Sequence, residues 1–315
     1  MKWEKLGFVW KPGGDVAWSV SHAALATVLV VSDNCWWVYL STRDENGKSR
    51  VARLELDVSG LPGKLPVVTH FDPTPIVSLG KPGTFDDSGA MPAWLVRNGA
   101  ELRLFYTGWN VLATVPYDLA IGLAVSNDGG RTFQRYSDGP ILGHSPTEPY
   151  FVCSPCVRLE NGVWRMWYVA SNGWQEVNGR WEPNYHIKYV ESNDGYRWEP
   201  KGISCVDLGP DYAIARPCVF KHDGKYGMMY PYRSVVDYRT DRDRSYQFGY
   251  AESSDGIRWE RMDDRVGIEK SAEGWDSEMI EYGWMQEHAG ETYLIYNGNG
   301  FGRSGFGMAR LVSWE

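Results

Sequence analysis

The chain has 315 residues, 40 acidic against 32 basic, and a formal net charge of −8. With no Lys/Arg stripe, that balance argues against binding to nucleic-acid phosphates or to an anionic membrane surface. Hydrophobic residues make up 43%, enough for a sizeable core, and the length fits one long all-β domain as well as two ordinary ones. The opening MKWEKLGFVWKPGG lacks the apolar run of a secretory leader, and no stretch is long and apolar enough to span a bilayer. Five cysteines, an odd count set mostly in apolar runs, point to reduced thiols in a cytoplasmic protein.

In chain order, the first ten residues read as an apolar strand that can close a ring beside the last repeat and cover its open edge. An aromatic-rich strand then recurs five times, as WWVYLS, LFYTGW, MWYVAS, MMYPYR and LIYNGN. Its tyrosines, Tyr39, Tyr106, Tyr168, Tyr230 and Tyr296, lie 62 to 67 residues apart. Ahead of it runs another apolar strand, as in MPAWLVRNG (91–99), SPCVRLENG (154–162) and RPCVFKHDG (216–224). Each of these ends in an Asn-Gly or Asp-Gly pair suited to a tight hairpin. Behind it comes a third strand and, in three copies, a Ser-x-Asp-Gly turn whose Asp128, Asp194 and Asp255 bond nearby backbone N–H groups. Four strands per unit, five units and no helical periodicity predict an all-β, five-bladed β-propeller with four-stranded antiparallel blades, one domain over residues 1–315.

In such a fold the first strand of each blade lines a central channel, so polar residues just before those strands are the candidate site. Blade one offers Asp15 and His22, and blade two Asp86 and Asp87, the former read as a turn residue and the latter as inward-pointing. Blade three offers Glu148, blade four Asp211 and Arg216, and blade five Asp276, Glu278 and Glu281. Arg216 suits an anion or carboxylate, Glu278 stands in an otherwise uncharged aromatic run, and His22 is a proton carrier or a core histidine. Insertions at 109–118 and 173–186 carry Trp109, Tyr117, Trp174 and Trp181 as aromatic subsites, and the Gly-rich 296–300 and 305–307 form a mobile rim. Cys153 and Cys156 form a lone CxxC with no second pair to complete a zinc site, so no metal is expected and both read as packing residues.

The segments GTFDDSGAMP, YFVCSPCV, YHIKYVESNDG, AIARPCVFK, GWDSEMIEY and YNGNGFGRSGFG, with the Ser-x-Asp-Gly turns, resemble the five-bladed propeller glycosidases, glycoside hydrolase families 32, 43, 62, 68, 117 and 130. The likeness runs over the whole chain and is nearest a glycosidase-like group found beside polysaccharide or secondary-metabolite genes. It implies acid–base chemistry by carboxylates from different blades, one of them kept protonated. The resemblance implies a blade-two Asp that tunes or holds the site, and Asp87 fits that role. Blade one departs, with His22 on the expected strand and Asp15 seven residues earlier, and blade three places Ser154 where the acid is expected, leaving Glu148 or Glu278 to substitute. Arg216 and Arg233 are placed like the phosphate-binding residues of family 130.

The expectation is an enzyme acting on a glycosidic or acetal bond, with Asp87, Glu278 and His22 catalytic and Arg216, Asp15, Glu148, Trp109, Arg233 and Glu281 binding a small-molecule or oligosaccharide substrate. No organic cofactor is implied. The alternatives are a cyclase, lyase or isomerase of a biosynthetic pathway on the same scaffold, and a non-catalytic sugar-binding module.

Overall fold

A computed structural model describes residues 1–315, and the chain is almost entirely β. Strand β1 (Lys2–Trp10) comes first, followed by four antiparallel runs. The first is β2 (Ser21–Ser32), β3 (Cys35–Arg43), β4 (Ser49–Asp57) and β5 (Val67–Phe71). The second is β6 (Gly89–Asn98), β7 (Glu101–Val111), β8 (Tyr117–Ser126) and β9 (Gln134–Arg135). The third is β10 (Val152–Glu160), β11 (Val163–Val177), β12 (Arg180–Ser192) and β13 (Ile203–Val206). In the fourth, β14 (Tyr212–Ile214) and β15 (Cys218–His222) both pair with β16 (Lys225–Ser234), which continues to β17 (Gln247–Ser253) and β18 (Glu260–Arg261). A fifth run, β19 (Glu281–His288), β20 (Glu291–Asn297) and β21 (Phe306–Ser313), takes β1 as its outer strand, as the unpaired N-terminal strand led us to expect. Parallel bridges Ser49–Gly89 and Tyr185–Ala213 join runs one to two and three to four, so the hydrogen-bonded sheets hold eight, nine and four strands.

The five repeat tyrosines are all fully buried, and their hydroxyls define the structural repeat. Tyr106 donates to Asp86, Tyr168 to Glu148 and Tyr296 to Asp276, each at 2.9 Å and each twenty residues upstream. Tyr230 donates to Asp263 (2.6 Å) and Tyr39 to the Gly130 carbonyl (2.6 Å). Every one of these carboxylates also meets a cation: Arg135 on Asp86 (2.8 Å), Lys188 on Glu148 (2.8 Å), Lys5 on Asp276 (2.7 Å) and Arg261 on Asp263. Buried carboxylates survive only when so paired. These clamps correct two expectations. Glu148 is a 1% exposed brace rather than a substrate ligand. Of the adjacent pair, it is Asp86 that goes into the protein, while Asp87 stays in the turn, accepting from Gly83 N–H and Ser88 Oγ (both 2.9 Å).

The Ser-x-Asp-Gly turns latch neighbouring runs together. In each, the Ser hydroxyl donates to the Asp carboxylate and accepts a Gly N–H, as in Ser253–Asp255 (3.0 Å) and Gly256–Ser253 (2.8 Å). The preceding run grips the turn's carbonyls: Arg53 on Gly130 (3.1 Å), Arg103 on Asp194 (2.6 Å), and Trp167 on Gly256 (2.6 Å). Backbone N–H groups of Arg258 and Ile257 hold the Asp255 carboxyl far below the usual carboxylate range. Asp255→Ala is therefore expected to lower the unfolding free energy by about 1–2 kcal/mol, read from urea midpoints, through loss of those N–H acceptors. No helix is long and apolar enough to cross a membrane.

Candidate functional site

The first strand of every run is interrupted. Register shifts fall at Ser21–Thr27 in β2, Pro92/Trp94 in β6, Cys153/Cys156 in β10 and Glu281/Trp284 in β19, and in run four the chain leaves the sheet between β14 and β15. Bulges re-aim side chains and cluster next to functional sites. Leu25, Ser154 and Tyr282 take left-handed φ values (60°, 48° and 54°) at these points, a strained conformation for side chains of this size. Side chains of the neighbouring runs accept freed N–H groups: Thr107 Oγ1 from Ser154 (2.8 Å) and Asn297 Oδ1 from Leu25 (3.4 Å).

The interrupted strands surround a cavity of about 320 Å³, to which all five contribute: Leu25, Met91, Ser154, Ala215 and Tyr282. This is the size of a small-molecule site. Its wall is aromatic and cationic. Trp109, Tyr117, Phe151, Tyr185, Tyr246 and Phe301 line it together with Arg43, Arg233 and Arg239. Trp109 is anchored by its indole N–H on Ser49 Oγ (2.7 Å), a close approach that needs Gly89, where a Cβ would sit 1.9 Å from the indole nitrogen. No Asp or Glu lines the cavity. Two carboxyls lie behind the wall. Glu182 accepts from Tyr238 (2.8 Å) and Arg239 (3.1 Å). Glu281 is fully buried, takes one hydrogen bond from Asn297 (2.9 Å) and leaves Oε2 without a partner. Burial pushes its carboxyl up to about 8 against the opposing pull of the Asn297 bond, Arg43 and Arg233, so it holds a proton at neutral pH.

Of the residues expected from sequence, Trp109 and Arg233 line the cavity and Glu281 stands directly behind Tyr282. His22 sits at the edge near Arg43 and Arg303. Burial and then those two cations push its imidazole down to about 3, so it is neutral at physiological pH and does not serve as an imidazolium acid. Glu278 is exposed outside the cavity lining, its N–H tied to Asn299 Oδ1 (2.7 Å) at the turn that presents Phe301. Asp87 does not line the cavity, and Asp15 is an exposed loop residue outside it. Arg216 is fully buried and binds no anion. It donates to Ala26, Tyr282 and Ala93 carbonyls and to Thr27 Oγ1. The 173–186 insertion extends the β11–β12 hairpin rather than forming a loop, and Trp174 packs edge-on against Tyr117 while Trp181 stays exposed. Cys153 lines the cavity, but burial pushes its thiol up to about 12, which leaves it unreactive.

Arg43, Tyr185, Tyr246 and Tyr282 carry no signal in the sequence that marks them as site residues on their own. A positional signal existed for one of them: the third or fourth residue after a repeat tyrosine lines the cavity in three runs, as Arg43, Trp109 and Arg233.

No protein-family model matches the chain. It is 36% identical over 313 residues, 99% of both chains, to the uncharacterized protein MT1551 of Mycobacterium tuberculosis (strain CDC 1551 / Oshkosh). Among solved structures it is similar to a complex of BT0996 with RGII, with a TM-score of 0.72 and 16% identity over 97% of this chain and 90% of that one. It is also similar to a thermostable family-43 glycoside hydrolase, at 0.66 and 15% over 94% and 89%. The fold is thus that of the propeller glycosidases.

Proposed function

The chain belongs to the same family as the mycobacterial protein MT1551, and we propose that it is a single-domain, five-bladed β-propeller, one blade per run, working as a glycoside hydrolase-like enzyme on a glycosidic or acetal bond in the central cavity. The observation that carries this reading is the interruption of the first strands of all five runs around one aromatic cavity, with the buried Glu281 behind its wall. Aromatic faces suit the apolar faces of sugar rings, and the fold neighbours include one complexed with RGII. Glu281 is the proton source and acts through Tyr282, its neighbour on the cavity wall: the Tyr282 hydroxyl gives its proton to the leaving oxygen and takes one from Glu281. Asp87 and Glu278, the other carboxylates expected to be catalytic, lie outside the cavity lining and take no part in this reading. Five free thiols fit a reducing compartment.

The test is turnover of a panel of aryl glycosides and oligosaccharides, followed by reducing-end release. Glu281→Gln keeps the Asn297 hydrogen bond and removes the proton, and is expected to lower kcat about 10²- to 10⁴-fold. Unchanged turnover in that variant overturns the assignment of the acid. A second reading is favoured by the lack of a pair of Asp or Glu side chains on the cavity wall: acid-catalysed cyclisation, elimination or isomerisation needs one proton source and no second carboxylate. A product formed without release of a reducing end selects it.

A further inference from the structure

The cavity carries more positive charge than the protein neutralises. Of its three arginines, only Arg239 has a carboxylate partner, Glu182. Arg233 is 2% exposed, donates to the Ser234 (2.9 Å) and Pro183 (3.2 Å) carbonyls, lies on the Tyr238 ring at 3.7 Å and leaves Nε unpartnered. Carbonyls and rings orient a guanidinium without cancelling its charge. Arg43, half-buried at the end of β3, has no ion pair and no side-chain hydrogen bond, although it lines the cavity. Glu281 supplies no countercharge while it keeps its proton. The nearby His22 is neutral and adds none either. A desolvated, unpaired guanidinium is unfavourable unless an anion completes it, and its planar fork matches carboxylate and phosphate oxygens.

We infer that the substrate carries an anionic oxygen group, a carboxylate or a phosphate, received by Arg43 with Arg233 adding to the field, while Trp109 and the tyrosines take the apolar part. This rests on the proposal that the cavity is a sugar site, and it names the class of sugar. It also separates Arg43 from Arg216, which does not line the cavity and whose two terminal nitrogens are committed to Ala26, Tyr282, Thr27 and Ala93.

The experiment is calorimetric titration of the full chain at low salt with matched probes: galactose against galacturonate and galactose 1-phosphate, glucose against glucuronate, and inorganic phosphate. At least one anionic sugar is expected to bind about tenfold or more tightly than its neutral partner. Arg43→Gln is expected to remove that preference, and Arg43→Lys to keep part of it. Competition by inorganic phosphate assigns the group as phosphate, and preference for the uronates without such competition assigns a carboxylate. If no anionic probe binds more tightly than its neutral partner, or if Arg43→Gln retains the preference, the inference is overturned. The wild-type comparison decides even where the variant folds poorly. The two readings fail separately. Anion preference without turnover of any glycoside removes the enzyme reading alone, whereas turnover of neutral glycosides with no gain from the anion removes this one alone.

Discussion

Arg216→Ala is expected to lower the unfolding free energy by about 3–5 kcal/mol, more than the loss of any one turn or clamp. The guanidinium is fully buried beside the paired rings of Trp94 and Trp284, at 5.7 and 5.5 Å from them. Its two terminal nitrogens reach three other runs: Ala26 (3.1 Å) and Thr27 (3.1 Å) of the first, Ala93 (2.7 Å) of the second and Tyr282 (3.4 Å) of the fifth. Burial pushes this guanidinium down to about 10, so it is still charged at neutral pH. Truncation leaves buried carbonyls without donors and a void beside the two tryptophans. Arg216→Met refills most of the volume and is expected to recover part of the loss, leaving about 1–3 kcal/mol for the orphaned carbonyls. Urea unfolding followed by tryptophan fluorescence measures both. A methionine variant as stable as the parent would mean that packing alone, and not the carbonyl-binding fork, joins these runs.

The second large effect is the pH dependence of stability imposed by Glu281. Its folded value, about 8, lies above the ordinary glutamate range. Between those two values the native chain keeps a proton that the unfolded chain has released, so the parent loses stability as pH rises, by up to about 1.4 kcal/mol per pH unit. Above about pH 8 the native carboxyl also ionises and the slope vanishes. Glu281→Gln cannot titrate and lacks this slope. Between about pH 5.5 and 7.5 the variant is therefore expected to gain up to about 3 kcal/mol on the parent, read from urea midpoints at several pH values. Parallel profiles would mean that Glu281 is ionised in the native state. The cavity would then hold its own countercharge, and the case for an anionic substrate would weaken with the case for the acid.

The repeats were legible because their chemistry is local. A Ser-x-Asp-Gly turn closes its hydrogen bonds within a few residues, so Asp128, Asp194 and Asp255 read as turn residues from spacing alone. The repeat tyrosines and the hairpin glycines are equally local. Even the tyrosine–carboxylate clamps left a trace, since Asp86, Glu148 and Asp276 each precede their tyrosine by twenty residues. That constant offset marks Glu148 as part of the repeat rather than of the site.

The site itself needed the tertiary structure. Asp86 and Asp87 are neighbours in sequence, and which one enters the protein depends on Tyr106 and Arg135, supplied by other strands. Arg43 and Arg216 are the same residue type. One faces an open cavity without a partner and the other is used up by carbonyls of three runs, a distinction made by chain segments up to 190 residues away. The raised carboxyl of Glu281 likewise comes from its burial in the folded chain. The sequence determined the repeat and its turns, because backbone conformation and short-range hydrogen bonds are set by adjacent residues. Which polar groups are desolvated, and which are left unpaired, was decided only when five distant segments met.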